Sequence, residues 1–280
     1  MSISHSKIRI ALLVIFFVFL TFIFLFPIYA LILGSIKPTE ELFRQGLNLS
    51  IELDLFTLEN YAAMTTKEGL RYFTWYKNSL LITTIQTILT LFFSSVVGYG
   101  LAIYNFKGRN LCLILVLVTL MIPIEALLLP LYKLMINLHL INTYAGIVLP
   151  LIVLPFAIFF FRQYALGLPV ELIEAARIDG CTEFGIFFKI MAPLMMPVYG
   201  AMAILIGLFS WNNLLWPLIV LNSSKLYTLP IGLVALITPY GIGMELLLSG
   251  SLLSVFPVLI IYLFMQRYFI EGLTAGGIKG

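Results

Sequence analysis

Charge is scarce in this sequence. Only 10% of its 280 residues are Asp, Glu, Lys or Arg, while 61% are hydrophobic; soluble domains carry roughly 25% charged residues. So few charges cannot cover a water-soluble fold, and lipid must act as solvent for much of the chain. Cysteine is nearly absent too. Cys112 lies in an apolar run and Cys181 in a polar one, which leaves no disulfide framework, CxxC redox motif or zinc site to argue for. The two histidines, His5 and His139, stand far apart, and that speaks against a His-based metal centre. No GxxxxGK[ST] loop, HExxH or GxSxG occurs, so nucleotide binding and intramembrane hydrolysis have no motif behind them. A net charge of +3 gives nucleic acid no footing.

What the chain has in quantity is apolar runs. They cover about residues 10–33, 78–104, 111–132, 144–161, 198–221 and 246–265, and most approach the ~20 residues that cross a bilayer as a helix. The reading is an all-α membrane protein with six transmembrane helices. Lys7 and Arg9 precede the first run, but a signal-peptide core is shorter, roughly 7–15 residues, so this run is an uncleaved first helix. Pro123, Glu125 and Pro130 fall in the third run and Pro150 and Pro155 in the fourth; these prolines predict kinks or local unwinding. Six crossings put Lys7, Arg9, Lys107, Arg109, Arg162, Arg177, Lys189, Arg267 and Lys279 on one side, against Lys133 and Lys225 in the two later loops of the other. By the positive-inside rule both termini are then cytoplasmic. Residues 35–75 form an external loop, read as solvated, with Thr57 capping a short helix.

The longest charged interruption of the C-terminal half is the hairpin at 169–196. Pro169 suits a first helical position. Glu171 and Glu174 complement the helix dipole, Ala175 and Ala176 make a small flat patch, and Asp179-Gly180 stops the helix. Thr182 caps a second short helix ahead of Pro193 and Pro197. The hairpin is cytoplasmic in this scheme. Its acids, Glu171, Glu174, Asp179 and Glu183, would repel an anionic leaflet, so a protein is the better neighbour. Two further features suggest a solute pathway. Glu125 is an acid inside an apolar span, a functional candidate unless it sits hydrated at the outer face. Trp211, Asn212, Asn213 and Trp216 form a polar–aromatic cluster. An interfacial belt explains the tryptophans, but amides are costly in lipid, and aromatic faces beside amide donors suit a sugar or polyol.

The run Glu174-Ala175-Ala176, then Gly180, then Ile190, resembles the EAA motif of permease subunits in ABC importers. That pattern ends Ile-x-Leu-Pro, and Ala192 stands here for its leucine. The segments YKNSLLIT (76–83), IPIEALLLPLYKL (122–134), LINTYAGIVLP (140–150), FFRQYALGLPVELIEAARIDG (160–180), WNNLLWPLIV (211–220) and QRYFIEGLTAGGIKG (266–280) extend the resemblance over most of the chain, to the second permease of maltose-type carbohydrate importers. It implies a type I ABC importer transmembrane fold in a prokaryotic cytoplasmic membrane. A core at 76–268 would follow an N-terminal helix at 1–34 and the loop at 35–75, with a tail at 269–280. It further implies a heterodimeric partner permease, two ATP-binding subunits and an external solute-binding protein. ATP and Mg would be bound by the ATP-binding subunits and no cofactor by this chain, which would be non-catalytic. Glu174, Ala175, Ala176, Asp179 and Gly180 would couple to the ATPase, with Glu174 making charged contacts and the alanines permitting close approach. Gln266, Arg267, Gly272, Gly276 and Gly277 would carry the tail to the same subunit, and the loop at 222–244 would reach towards the binding protein. The cargo would be a sugar or oligosaccharide, with glycerol phosphate or a polyol as the alternative; a phosphate would want Arg or Lys near the pathway. A stand-alone secondary transporter or channel would need more intramembrane ionisable groups than Glu125.

Overall fold

The structure is a computed structural model that describes residues 2–41, 49–238 and 241–275. Among the described residues, three helices are long and apolar enough to cross a membrane unbroken: Arg9–Ser35, Arg71–Ile103 and Met244–Arg267. Three helix pairs are long and apolar enough only when taken together, each bent at a short break. Arg109–Leu120 and Ile124–Asn137 meet at 105°, Tyr144–Leu151 and Pro155–Ala165 at 44°, and Glu183–Leu194 and Met196–Trp211 at 76°. Each break falls at a proline. Pro123 and Leu154 are extended, with ψ of 135° and 118°, and Pro155 and Pro197 occupy the first turns of the helices that follow. A residue before proline is pushed out of the helical region, and proline's fixed φ suits a helix start. The third run is therefore turned sharply back rather than kinked.

Other boundaries moved for local reasons. The helix of the second span begins at Lys67, inside the expected external loop, and runs to Ile103. Arg109 closes it, donating from Nε to the Leu101 carbonyl at 2.9 Å and from Nη2 to that of Ala102 at 3.0 Å, as a basic side chain at a helix C-terminus can. The last helix continues to Ala275, so most of the expected tail is helical. The expected fifth span ends at Trp211 and restarts as Leu215–Val220. Part of the loop after it is helix, Leu229–Ala235, with a two-residue antiparallel pairing of Ile237–Thr238 with Gly241–Ile242.

The chain divides into two compact units, Met1–Phe73 with Leu233–Phe256, and Thr74–Gly232 with Pro257–Gly280. In the first, the supposedly solvated loop is organised around a buried Asn60. Its amide donates to the carbonyls of Ser35 (2.9 Å) and Lys37 (2.8 Å), and its Oδ1 accepts from Thr39 (3.2 Å). Lys37, also buried, donates to the Ser50 carbonyl at 2.8 Å. Buried polar groups are tolerable only when paired in this way. The first helix shows the opposite character: none of its most apolar stretch is buried by the rest of the chain, so lipid or another subunit must cover it.

The second unit has two apolar clusters. One gathers Tyr99, Ala102, Phe161, Ile173, Ile186 and Met195; the other gathers Ile82, Ile147, Leu151, Trp216, Val220 and Ile231. The first fastens the hairpin to the ends of the helices.

Candidate functional site

The hairpin is built as one packed object. Its first helix, Glu171–Ile178, turns Ile173 and Ala176 inward and leaves Glu174 and Ala175 exposed, as a 3.6-residue period requires. Burying Ile173 and Ile186 contributes roughly 1.5–3 kcal/mol each. Ala176 is 4% exposed, so of the alanine pair only Ala175 faces outward.

The turn is a Schellman motif. Gly180 has φ +77°, its N–H donates to the Arg177 carbonyl at 3.1 Å, and the Cys181 N–H donates to that of Ala176 at 2.9 Å. Asp179 caps the helix immediately before it. Pro169 lies just outside, because the helix starts after Val170. Thr182 caps the second helix, Glu183–Ile186, its Oγ1 accepting the Gly185 N–H at 3.1 Å. A π-helical turn, Phe187–Met191, then leads towards Pro193. Arg177 grips Glu183 at 2.7 and 3.2 Å, and the Tyr104 hydroxyl donates to the same carboxylate at 2.7 Å. With both side chains near half-exposed, solvent screens the ion pair, and it fixes geometry more than stability. Thr182→Ala is expected to cost about 1 kcal/mol locally, read as a roughly five-fold faster hydrogen exchange at the Gly185 amide.

This object carries two large apolar side chains in the open: Ile178 is 86% exposed and Phe184 78%. With Glu174 and Ala175 they present an acid, a small residue and two hydrophobes to whatever lies beyond.

The pathway candidates converge elsewhere in the same unit. Glu125, Asn212, Asn213 and Trp216 line one cavity of about 360 Å³, with Leu128 and Phe209 among its apolar walls. Glu125 stands in the first turn of Ile124–Asn137, and the two asparagines occupy the break between Met196–Trp211 and Leu215–Val220. Asn212 donates to the Leu208 carbonyl at 3.1 Å, and Asn213 Oδ1 accepts the Trp216 N–H at 3.4 Å. Trp216 is 3% exposed and donates from Nε1 to the Gly146 carbonyl at 3.1 Å. Trp211 does not line this cavity. It is buried and packs edge-on against Tyr76, ring centres 5.6 Å apart. Both tryptophans belong to the interior, not to a lipid-facing belt.

Sequence reasoning missed a set of clamps on the segment after Val220. Asn78 donates to the carbonyls of Lys225 and Tyr227, both at 2.9 Å, and accepts from the Tyr144 hydroxyl at 2.8 Å. Asn142, at φ +59°, accepts the N–H groups of Asn222 and Ser223, both at 3.0 Å. A lone asparagine beside an apolar run was the available signal.

Residues 92–274 match the family described as binding-protein-dependent transport system inner membrane component. The chain belongs to that family. This permease is 57% identical over 277 residues to the arabinooligosaccharides transport system permease protein AraQ of Bacillus subtilis, across 99% of this chain and 98% of that protein. It is likewise 57% identical over 269 residues to AraQ of Halalkalibacterium halodurans, across 96% of each. A crystal structure of a bacterial ABC transporter involved in the import of the acidic polysaccharide alginate contains a chain of the same fold. The TM-score is 0.82 at 21% identity, over 94% of this chain and 97% of that one. The permease is thus a multi-pass protein of the cytoplasmic membrane with the type I ABC importer fold. Its Gln266 and Arg267 are exposed on the last helix and Gly272 lies within that helix, while Gly276 and Gly277 fall outside the described residues.

Proposed function

We propose that this permease conducts arabino-oligosaccharides inward, working with a second permease, two ATP-binding subunits and an external binding protein. The observation that carries the cargo is the 57% identity, over nearly the whole length, to two permeases named for those sugars. The cavity chemistry agrees with a neutral polyhydroxylated solute. Its lining has one carboxylate, two amides and an indole and no Lys or Arg, whereas a phosphate would call for cations. ATP is hydrolysed by the partner subunits, and this chain binds no cofactor. Both termini face the cytoplasm, where the hairpin seats Glu174, Ala175, Asp179, Ile178 and Phe184 against an ATP-binding subunit, with Gly180 holding the turn. The helical Gln266–Ala275 end reaches towards the same subunit.

Two measurements test this reading. Purified from its own membranes, the chain co-purifies with an ATPase, and the ATPase rate rises several-fold with the binding protein plus arabinotriose but not with glycerol 3-phosphate. Isolation without an ATPase, or stimulation by the phosphate alone, contradicts it. For the pathway, Glu125→Gln and Asn213→Ala each lower arabinotriose uptake about ten-fold, equivalent to ~1.4 kcal/mol, with membrane levels unchanged. Unaltered uptake in both removes the cavity from the route.

A further inference from the structure

The Lys67–Ile103 helix carries a stripe that the hairpin and the cavity do not use. Ser79, Thr83, Gln86, Thr87, Thr90 and Ser94 fall on one face at helical spacing. The stripe is roughly 22 Å long at 1.5 Å per residue, most of the ~30 Å hydrocarbon thickness. All but the half-buried Thr87 are buried inside the protein: Gln86 is 1% exposed, Thr83 6% and Ser94 0%. Three members have at least one partner. Ser79 Oγ accepts the Leu229 N–H at 2.7 Å, Gln86 Oε1 accepts from Ser210 at 2.9 Å, and Thr90 donates to the Leu151 carbonyl at 3.3 Å. The Thr83, Thr87 and Ser94 hydroxyls and the Gln86 amide nitrogen are buried with no hydrogen-bond partner.

That pattern does not fit a permanently closed seam. A hydroxyl in an apolar helix can donate to the carbonyl four residues back, and Thr21 and Thr119 do so on exposed surfaces, to Phe17 at 2.8 Å and Leu115 at 2.6 Å. The stripe hydroxyls do not. An apolar seam of the same shape would avoid the cost of unmade bonds, so the orphans point to a ligand or to a second arrangement of the seam. The opposing wall presents a glycine at this point. Gly207 faces Thr87, with 3.8 Å from its ideal Cβ position to Thr87 Oγ1, and an adjoining cavity of about 170 Å³ is bordered by Thr83, Thr84, Gly207 and Trp211. Its other walls are apolar, Leu80, Ile204, Leu208 and Val258 among them, so its polar edge is the one that the stripe supplies.

We propose that the seam between Lys67–Ile103 and Met196–Trp211 is a hydroxyl-binding lane that opens during the transport cycle, its orphan groups taking water or the hydroxyls of the carbohydrate. The inference rests on the reading of the chain as a carbohydrate-conducting subunit. It assigns Gln86 as the residue that reads hydroxyl groups, since its free amide nitrogen can donate two bonds while Ser210 holds its oxygen.

The test uses the whole transporter in proteoliposomes, with Cys112 and Cys181 replaced by alanine. Thr87→Cys and Ser94→Cys are compared with Ile88→Cys, 60% exposed on the outer face of the same helix. Each is treated with methanethiosulfonate ethylammonium, which modifies hydrated thiols, without nucleotide and with ATP plus vanadate. The lane predicts at least ten-fold faster modification at the first two positions than at Ile88→Cys in one of those states. Slowing by arabinotriose assigns the groups to sugar, and no slowing assigns them to water. Modification as slow as at Ile88→Cys in every state overturns the proposal. Gln86→Leu is expected to lower uptake at least ten-fold, and full uptake by it would also overturn the reading; if that variant does not assemble, the thiol rates decide. Should the unmodified transporter take up no arabinotriose, the cargo assignment fails while the nucleotide-dependent comparison still scores the lane.

Discussion

Gly180→Val is expected to lower solute uptake at least a hundred-fold while the chain still inserts and keeps its core. The reason is backbone geometry. Gly180 sits at φ +77°, and its Cβ position meets no atom within 4 Å, so the substitution creates no clash in the packed interior. A side chain in the left-handed region costs roughly 1–2 kcal/mol, and a β-branched one is a genuine outlier there. The turn relieves that strain by giving up its two carbonyl contacts to Arg177 and Ala176. Ile173, Ala176 and Ile186 remain anchored, but Ile178 and Phe184, on opposite sides of the turn, no longer hold a fixed spacing. A docking surface loses its shape while the membrane core does not. Glu174→Lys makes the complementary change, reversing one exposed charge with no effect on the backbone. Both variants should retain ATPase subunits that hydrolyse ATP without moving solute. Normal uptake by both would sink the docking role of the hairpin.

The largest effect on folding is expected at Gly98. An added Cβ there would lie 2.7 Å from Phe161 Cβ, 2.8 Å from the Ile158 carbonyl oxygen and 2.9 Å from the Arg162 nitrogen. Two of the three are backbone atoms of Pro155–Ala165, which cannot swing aside as a side chain can. The helices must separate, and the cluster of Tyr99, Ala102, Ala157 and Phe161 loosens with them. Overpacking typically costs about 1–3 kcal/mol, and Gly98→Val should reach the top of that range or exceed it. In detergent its thermal midpoint should fall by ~6–12 °C. Gly100, two residues on, has open space at its Cβ position. Gly100→Ala should be neutral or stabilising by up to ~1 kcal/mol. Equal melting of the two variants would show that close helix approach is not what Gly98 supplies.

The features legible in the sequence were those set locally. Six apolar runs, the Asp179-Gly180 stop and the Thr182 cap follow from hydropathy, a positive-φ glycine and a hydroxyl cap, and each needs only its neighbours. The proline positions marked where spans break. They did not give the 105° turn at Pro123, because the angle depends on what each half-helix packs against. Ala175 and Ala176 looked equivalent as a flat patch; helical period alone separates them, since Ile173 and Ala176 share one face and Glu174, Ala175 and Ile178 project elsewhere. Asn60, Asn78 and Asn142 were invisible as clamps because their acceptors and donors lie up to 149 residues away in the chain. The stripe from Ser79 to Ser94 was legible in spacing, yet hydroxyls within an apolar run carry no charge to draw notice, and only the structure reveals which lack partners. Of the five residues grouped as a pathway cluster from the sequence, four line one cavity, and Trp211 packs beside it against Tyr76.

The central claim is that this chain passes arabino-oligosaccharides through the membrane on power supplied at its hairpin. The direct measurement is uptake of radiolabelled arabinotriose into proteoliposomes holding the full transporter, with ATP inside and the binding protein outside. Uptake that requires both, and that disappears with Glu174→Lys while the complex stays assembled, is the predicted result. Uptake that persists without ATP, or that is unchanged by Glu174→Lys, would contradict it.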